Sequence, residues 1–169
     1  MSSEHQLRIE KLRRSFDENF AEEFRQRAER KDSFIYFMLG SQGYAVRSSH
    51  LTGFAKAGHV TPLPARSRGL LGMGSVRGQL LPVYSLAAFL KVNENMQLPQ
   101  WLAIAGKSDS IAFAMSELIG LDAADEQHEL ASPAQPYVQG YCVRGGARFA
   151  LIQVDELYRE ITQSNKPQI

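Results

Sequence analysis

The chain has 169 residues, 44% of them hydrophobic, with 19 Lys and Arg against 18 Asp and Glu for a formal net charge of +1. That length and apolar fraction suffice for one domain, or for two small lobes sharing a core, and exclude wholesale disorder. The even charge balance argues against a dedicated nucleic-acid binder, the single cysteine Cys142 excludes an intramolecular disulfide framework, and no run of about 18 apolar residues is present to form a transmembrane helix.

The opening SSEHQLRIEKLRRSF lacks the apolar core of a signal peptide, so a cytoplasmic protein is expected. Residues 1–33 carry eight basic and eight acidic side chains with neither Gly nor Pro. Leu12, Phe16, Phe20 and Phe24 recur every four residues, with Ile9 and Ala28 extending the stripe, which predicts an amphipathic helix. Glu10–Arg14 and Glu23–Arg27 support it at i, i+4, and Ser3 with Gln6, or Ser15 with Glu18, offers a capping box. Such a helix is marginal alone in water, so its phenylalanine face is expected to bury against the body of the protein, or else against a separate protein.

After Ser33 the period changes. FIYFML at 34–39, the turn residues Gly40-Ser41-Gln42-Gly43 and the resumed run Tyr44-Ala45-Val46 read as a hairpin. LLPVY, QWLAIAG, IAFAM, YVQGYCV and RFALIQV continue as short strands between Gly, Ser, Asp and Pro turns, and only SLAAFLK and VDELYREI read as helices. Many closely spaced short strands predict small barrels or a sandwich.

The two halves resemble each other. LGSQGYAV followed by HLTGF answers to AGKSDSIAFAM followed by ELIGL, and GMGSVRGQLLPVYSLAAF answers to GYCVRGGARFALIQVDEL. Gly40 with Gly106, Gly53 with Gly120, Gly78 with Gly145 and Phe89 with Leu157 lie 66 to 68 residues apart, and Val76-Arg77-Gly78 is matched to Val143-Arg144-Gly145. Two related β lobes are expected, 34–99 and 100–160, with a helix at 1–33 and a tail at 161–169. In each lobe the Val-Arg-Gly marks a tight turn between two strands, the second of which runs into a short helix.

No catalytic constellation emerges. Gly72, Gly74 and Gly78 miss the G-x-G-x-x-G spacing and are followed by a strand, no lysine follows Gly78 as a phosphate loop requires, and Ser75 lies next to Gly74 where a nucleophile elbow needs one intervening residue. His5, His50, His59 and His128 have no second ligand at metal-binding spacing, and Asp122, Asp125, Glu126 and Glu129 read as a solvated connection before Pro133. Neither a metal nor a cofactor is expected. Cys142, among apolar strand residues, reads as a small buried hydrophobe.

The repeat and the hairpin together resemble the CheW-like adaptor domain of bacterial chemosensory systems. The resemblance runs through Phe37-Met38-Leu39-Gly40, Thr61-Pro62-Leu63-Pro64, Gly72, Val76-Arg77-Gly78, Pro82-Val83 and Leu86, and covers about 34–160. VRG followed by a strand and Ala88-Phe89-Leu90 is closer to the type IV pilus, twitching-motility branch. Ser75 stands where the family carries Asn, and Ser85 where it carries Asp. The resemblance implies a mainly β fold of two SH3-like five-stranded barrels. It also implies a non-enzymatic role bridging a methyl-accepting chemoreceptor tip and the regulatory domain of a histidine kinase, with no nucleic-acid partner and no membrane insertion. Sheet edges and the groove between the lobes would then serve for docking. Ser75, Arg77, Gly78, Pro82 and Val83 are the expected partner-binding residues, with Arg77 foremost because a guanidinium on a rigid turn can orient against a partner carboxylate or carbonyl. The competing readings are a small ligand-binding barrel and a nucleic-acid-binding barrel using Lys56, Arg66 and Arg68, the latter lacking an aromatic platform for bases.

Overall fold

The computed structural model describes Leu7, Arg8, Lys11, Arg14, Ser15 and residues 33–64, 67–93, 99–132 and 134–165. The phenylalanine stripe expected at 12–24 and the end of the tail, 166–169, lie outside the described residues.

The run FIYFML becomes β1 (Ser33–Leu39), paired with β2 (Gln42–Arg47) through the Gly40 turn. A continuous apolar run is what a strand buried on both faces needs. Phe34 and Tyr36 point into a small core, while Ile35, Phe37 and Leu39 point into the largest one. Ten further strands follow: β3 (Gly53–Lys56), β4 (Val60–Thr61), β5 (Leu70–Val76), β6 (Gln79–Ser85), β7 (Trp101–Ala105), β8 (Ile111–Met115), β9 (Glu117–Ala123), β10 (Glu126–Glu129), β11 (Val138–Arg144) and β12 (Ala147–Ile152). Helix α1 (Leu86–Leu90) follows β6, and α2 (Val154–Ser164) follows β12, extending beyond the VDELYREI run that reads as helical. The acidic stretch expected as a connection is instead partly the end of β9 and the edge strand β10.

The strands form two sheets, in the orders β4-β5-β6-β8-β7-β3 and β10-β11-β12-β2-β1-β9. Adding six to each strand number, and returning to β1 after β12, converts the first order into the second. The internal repeat is therefore complete at the level of topology. In each sheet five strands are joined by a short outermost one, β4 or β10, on the bulged strand that opens the hairpin. Each sheet also draws on both halves of the sequence. Hairpin β1–β2 joins the sheet of β9–β12, and hairpin β7–β8 joins the sheet of β3–β6, each inserted by a parallel pairing, β12 with β2 and β6 with β8.

Local details repeat 68 residues apart. A bulge interrupts β5 between Leu70 and Gly72 and β11 between Val138 and Gly140. At both glycines an added Cβ would overlap a neighbouring carbonyl, that of Thr61 or of His128. The backbone N–H of Ser85 donates to the Gly69 carbonyl at 2.7 Å, as that of Gln153 does to Tyr137 at 2.7 Å. Gly69 and Tyr137 both have positive φ, 72° and 60°.

Three apolar cores result. Val76, Leu81, Val83, Leu102, Ala112 and Ala114 fill the first lobe. Phe34, Tyr36, Ala45, Cys142, Phe149 and Leu151 fill the second. The largest core lies between the two sheets and receives Phe37, Tyr44, Phe113, Phe89 from α1 and Leu157 from α2. Both helices are thus plugs of the central core.

Candidate docking surface

Between β5 and β6 the register places Val76 opposite Gln79, leaving Arg77-Gly78 as a two-residue loop. Both residues have positive φ, 51° and 80°, as the favoured two-residue hairpin turns require. The corresponding loop of the second lobe is Gly145-Gly146, at 56° and 78°. The structural counterpart of Arg77 is therefore Gly145, one residue on from the Arg144 that matching the letters Val-Arg-Gly selects. A non-glycine residue in this region is strained, and such strain concentrates at functional sites.

Strand alternation divides the hairpin. Val76, Leu81 and Val83 point into the core of the first lobe, whereas Met73, Ser75, Leu80 and Pro82 lie on the other face. Cross-strand pairs Met73–Pro82 and Ser75–Leu80 make a contiguous patch there. Of the five expected contact residues, Ser75, Arg77 and Gly78 are exposed and Pro82 is half-buried beside them. Val83 is fully buried, so it anchors the strand and offers no surface. Leu80, 70% exposed, lies on the same face and was passed over by sequence reasoning; Leu71 at 36% and Leu63 at 43% are further exposed leucines of this lobe. The signal was available: in the alternating run Gln79-Leu80-Leu81, one of two adjacent leucines must face outward.

Ser85, at the position of the family's Asp, caps α1. Its Oγ accepts the Ala88 N–H at 3.3 Å, so the acceptor needed at the helix start is retained.

The equivalent face of the second lobe is chemically different. Tyr141 and Arg148 lie opposite Ala150 and Val143 there. The Arg148 guanidinium sits 3.9 Å from the Tyr141 ring centroid, and the His128 ring stacks on Tyr141 at 4.7 Å while contacting Glu126 at 3.0 Å. A groove of about 260 Å3 beside them is lined by Gln42, Leu130, Gln135, Val138, Arg148 and Phe149, with Gln135 hydrogen-bonded to the Tyr44 hydroxyl at 3.2 Å.

A clasp joins the two repeats. Arg68, just before β5, pairs with Glu160 of α2 at 3.4 Å and lies 5.1 Å over the Phe89 ring. The Tyr137 hydroxyl donates to the same Glu160, and its ring meets Phe89 edge-on at 6.2 Å. Burial, then the hydrogen bond and charge of Glu160, push the Tyr137 hydroxyl above the ordinary tyrosine range. In the second core, burial raises the Cys142 thiol to about 11 and lifts the Tyr36 hydroxyl still further. These are groups held neutral. Among the described residues no three His, Cys, Asp or Glu are grouped to hold a metal, and no helix is long and apolar enough to cross a membrane.

The family model for the CheW-like domain matches residues 33–162. The chain belongs to the CheW-like domain family. Among solved structures, this CheW-like chain is similar to the scaffolding protein TtCheW from Thermoanaerobacter tengcongensis, with a TM-score of 0.62 at 14% identity, over 73% of this chain and 89% of that one. No curated protein matches the sequence. The two sheets are accordingly the two SH3-like lobes of the CheW-like fold, and the family match supports an adaptor or scaffold role in chemotaxis signalling.

Proposed function

We propose that this CheW-like chain is a non-enzymatic cytoplasmic adaptor. It links the signalling tip of a methyl-accepting chemoreceptor to the regulatory domain of a histidine kinase, in the chemosensory system of a type IV pilus. The observation that carries the docking role is the β5–β6 hairpin, where Arg77 is held in a strained left-handed conformation beside an exposed leucine. Among the described residues no carboxylate pairs with Arg77. The pilus assignment is supported by the resemblance at Val76-Arg77-Gly78 and Ala88-Phe89-Leu90.

Arg77→Glu tests the role. Exposed ion pairs contribute about 0–1 kcal/mol to folding, so the melting temperature should stay within about 4 °C of wild type. An anchored arginine at an interface contributes roughly 2 kcal/mol or more, so capture of kinase or receptor from the parent cell should weaken more than about tenfold. Wild-type capture by Arg77→Glu, or an unfolded variant, ends this reading. Captured partners that belong to a flagellar system and not to a pilus would end the pilus assignment alone.

A further inference from the structure

The opening segment of the chain and the bare face of the first lobe have complementary chemistry. Within 15–24, SFDENFAEEF holds Phe16, Phe20 and Phe24 with Asp17, Glu18, Glu22 and Glu23 and no Lys or Arg; the Lys and Arg of 1–33 all lie to either side. Leu7, Arg8, Lys11, Arg14 and Ser15 are helical and exposed. On one continuous helix these five share a side, and Leu12, Phe16 and Phe20 occupy the other. Asp17 and Glu23, three residues before and after Phe20, border the stripe on its two flanks. Residues 25–32 tether Phe24 to β1 and span about 30 Å when extended. That is about twice the radius of gyration, about 14 Å, of a body the size of residues 33–162.

Charge and shape select where such a segment can lie. Residues 33–93 contain no Asp or Glu, whereas β9 and β10 of the second lobe carry Glu117, Asp122, Glu126 and Glu129 and would repel it. In the first lobe Thr61, Met73 and Pro82 form a row across β4, β5 and β6, with Ser75 and Leu80 beside it and Arg77 at the rim. Strand β5 is paired with β4 and β6, and β6 also with β8, so the backbone is engaged and only side chains are left to cover. Three strands span two spacings, about 10 Å, which is the width of one α-helix with its side chains. The equivalent face of the second lobe is already covered by the Arg148–Tyr141–His128 stack.

We propose that the chain's own segment 12–24 folds back onto this face as an autoinhibitory contact, with Phe16 and Phe20 against Met73, Leu80 and Pro82 and its carboxylates towards Arg77. A partner then gains the hairpin only by displacing the segment. The inference rests on the docking role proposed for the hairpin and adds its regulation. A short tether gives an effective concentration of about 1 mM, so a contact with an intrinsic Kd of about 0.1 mM keeps the face covered in about nine chains of ten. The apparent affinity of a partner falls about tenfold as a result.

A nitroxide attached at Ser15→Cys tests the contact in the full-length chain, where the native Cys142 is buried. It should broaden amide resonances of β5 and β6 and spare those of β9 and β10. Leu80→Ser, or Asp17→Lys with Glu23→Lys, should abolish the broadening. A synthetic peptide of residues 8–28 should bind the variant carrying Phe16→Ser, Phe20→Ser and Phe24→Ser at least tenfold more tightly than wild type, whose face is occupied. Broadening confined to the second lobe, or seen in neither lobe, overturns the proposal, as does equal peptide binding to the two proteins. The triple-serine variant and the lysine pair should each show about tenfold higher apparent affinity in kinase capture; no gain in either overturns the shielding while the docking role stands. Capture that ignores Arg77→Glu in the triple-serine background removes the docking role itself.

Discussion

Replacing Arg77 by asparagine should make the protein more stable and less able to bind. Arg77 occupies the first position of the two-residue loop at φ 51°, and Gly78 follows at 80°. A side chain larger than glycine costs about 1–2 kcal/mol in the left-handed region, whereas asparagine tolerates it and Asn-Gly is the preferred sequence for such a loop. The Arg77 side chain is exposed and makes no described ion pair that would be lost. Arg77→Asn should therefore gain about 1 kcal/mol, a rise of about 2–4 °C in Tm for a chain of this size. Arg77→Gly should gain less, because glycine adds about 0.5–1 kcal/mol of unfolded-state entropy. The reverse substitution is available in the same molecule. Gly145 has φ 56° and no atom within 4 Å of an added Cβ, so Gly145→Arg should lose about 1–2 kcal/mol from backbone strain alone. Calorimetry and urea titration measure these changes, and capture of the kinase measures the loss of the guanidinium. A lower Tm for Arg77→Asn would show that the arginine serves its own lobe, and the argument from strain to docking would fail.

Phe89→Ala should remove about 3–5 kcal/mol by opening a cavity in the central core, read as an early thermal transition. Tyr137→Phe keeps the ring on Phe89 but deletes the hydroxyl bond to Glu160, and should cost about 1 kcal/mol in a urea melt. Gly72→Ala and Gly140→Ala each force a Cβ onto a carbonyl, so either should lose about 3 kcal/mol or more and express poorly. Burial raises the Cys142 thiol from an ordinary value near 9 to about 11, so the folded state holds its proton more firmly than the unfolded chain. Its contribution to stability is full below about pH 9 and is lost as pH rises towards 11; Cys142→Ala should flatten that part of the alkaline denaturation curve, and the native thiol should resist alkylation at pH 8.

The parts of this fold that the sequence revealed are those written in local patterns. FIYFML announced a buried strand, the glycines at 72–78 announced a hairpin, and the recurrence of the two halves announced the repeat. Strand exchange left no such mark, because the pairings that insert each hairpin are short and parallel, Ala150–Leu151 with Tyr44–Ala45 and Val83–Ser85 with Ala112–Ala114. No turn residue encodes such a contact, made across 106 residues between Tyr44 and Ala150 and across 29 between Val83 and Ala112. At the candidate docking surface, Arg77 was visible as the residue of a turn, but letter matching set it against Arg144 because the second loop uses Gly145-Gly146. Val83 and Leu80 exchanged roles for a related reason: both are apolar, and only the pleat decides which one faces the core.

The exchange of hairpins also bears on how the chain is made. On the ribosome β1 and β2 emerge early, yet β9, the strand that covers the other side of β1, begins only at Glu117. At about 5–20 residues per second, the roughly 70 residues after Arg47 take about 4–14 s to appear. Throughout that interval the aromatic run FIYFML has half of its hydrogen-bonding edge and most of its side-chain partners still unsynthesised. Nascent chains stalled before residue 117 should therefore be strong clients of chaperones that hold exposed apolar strands, and release should follow once β12 has been translated.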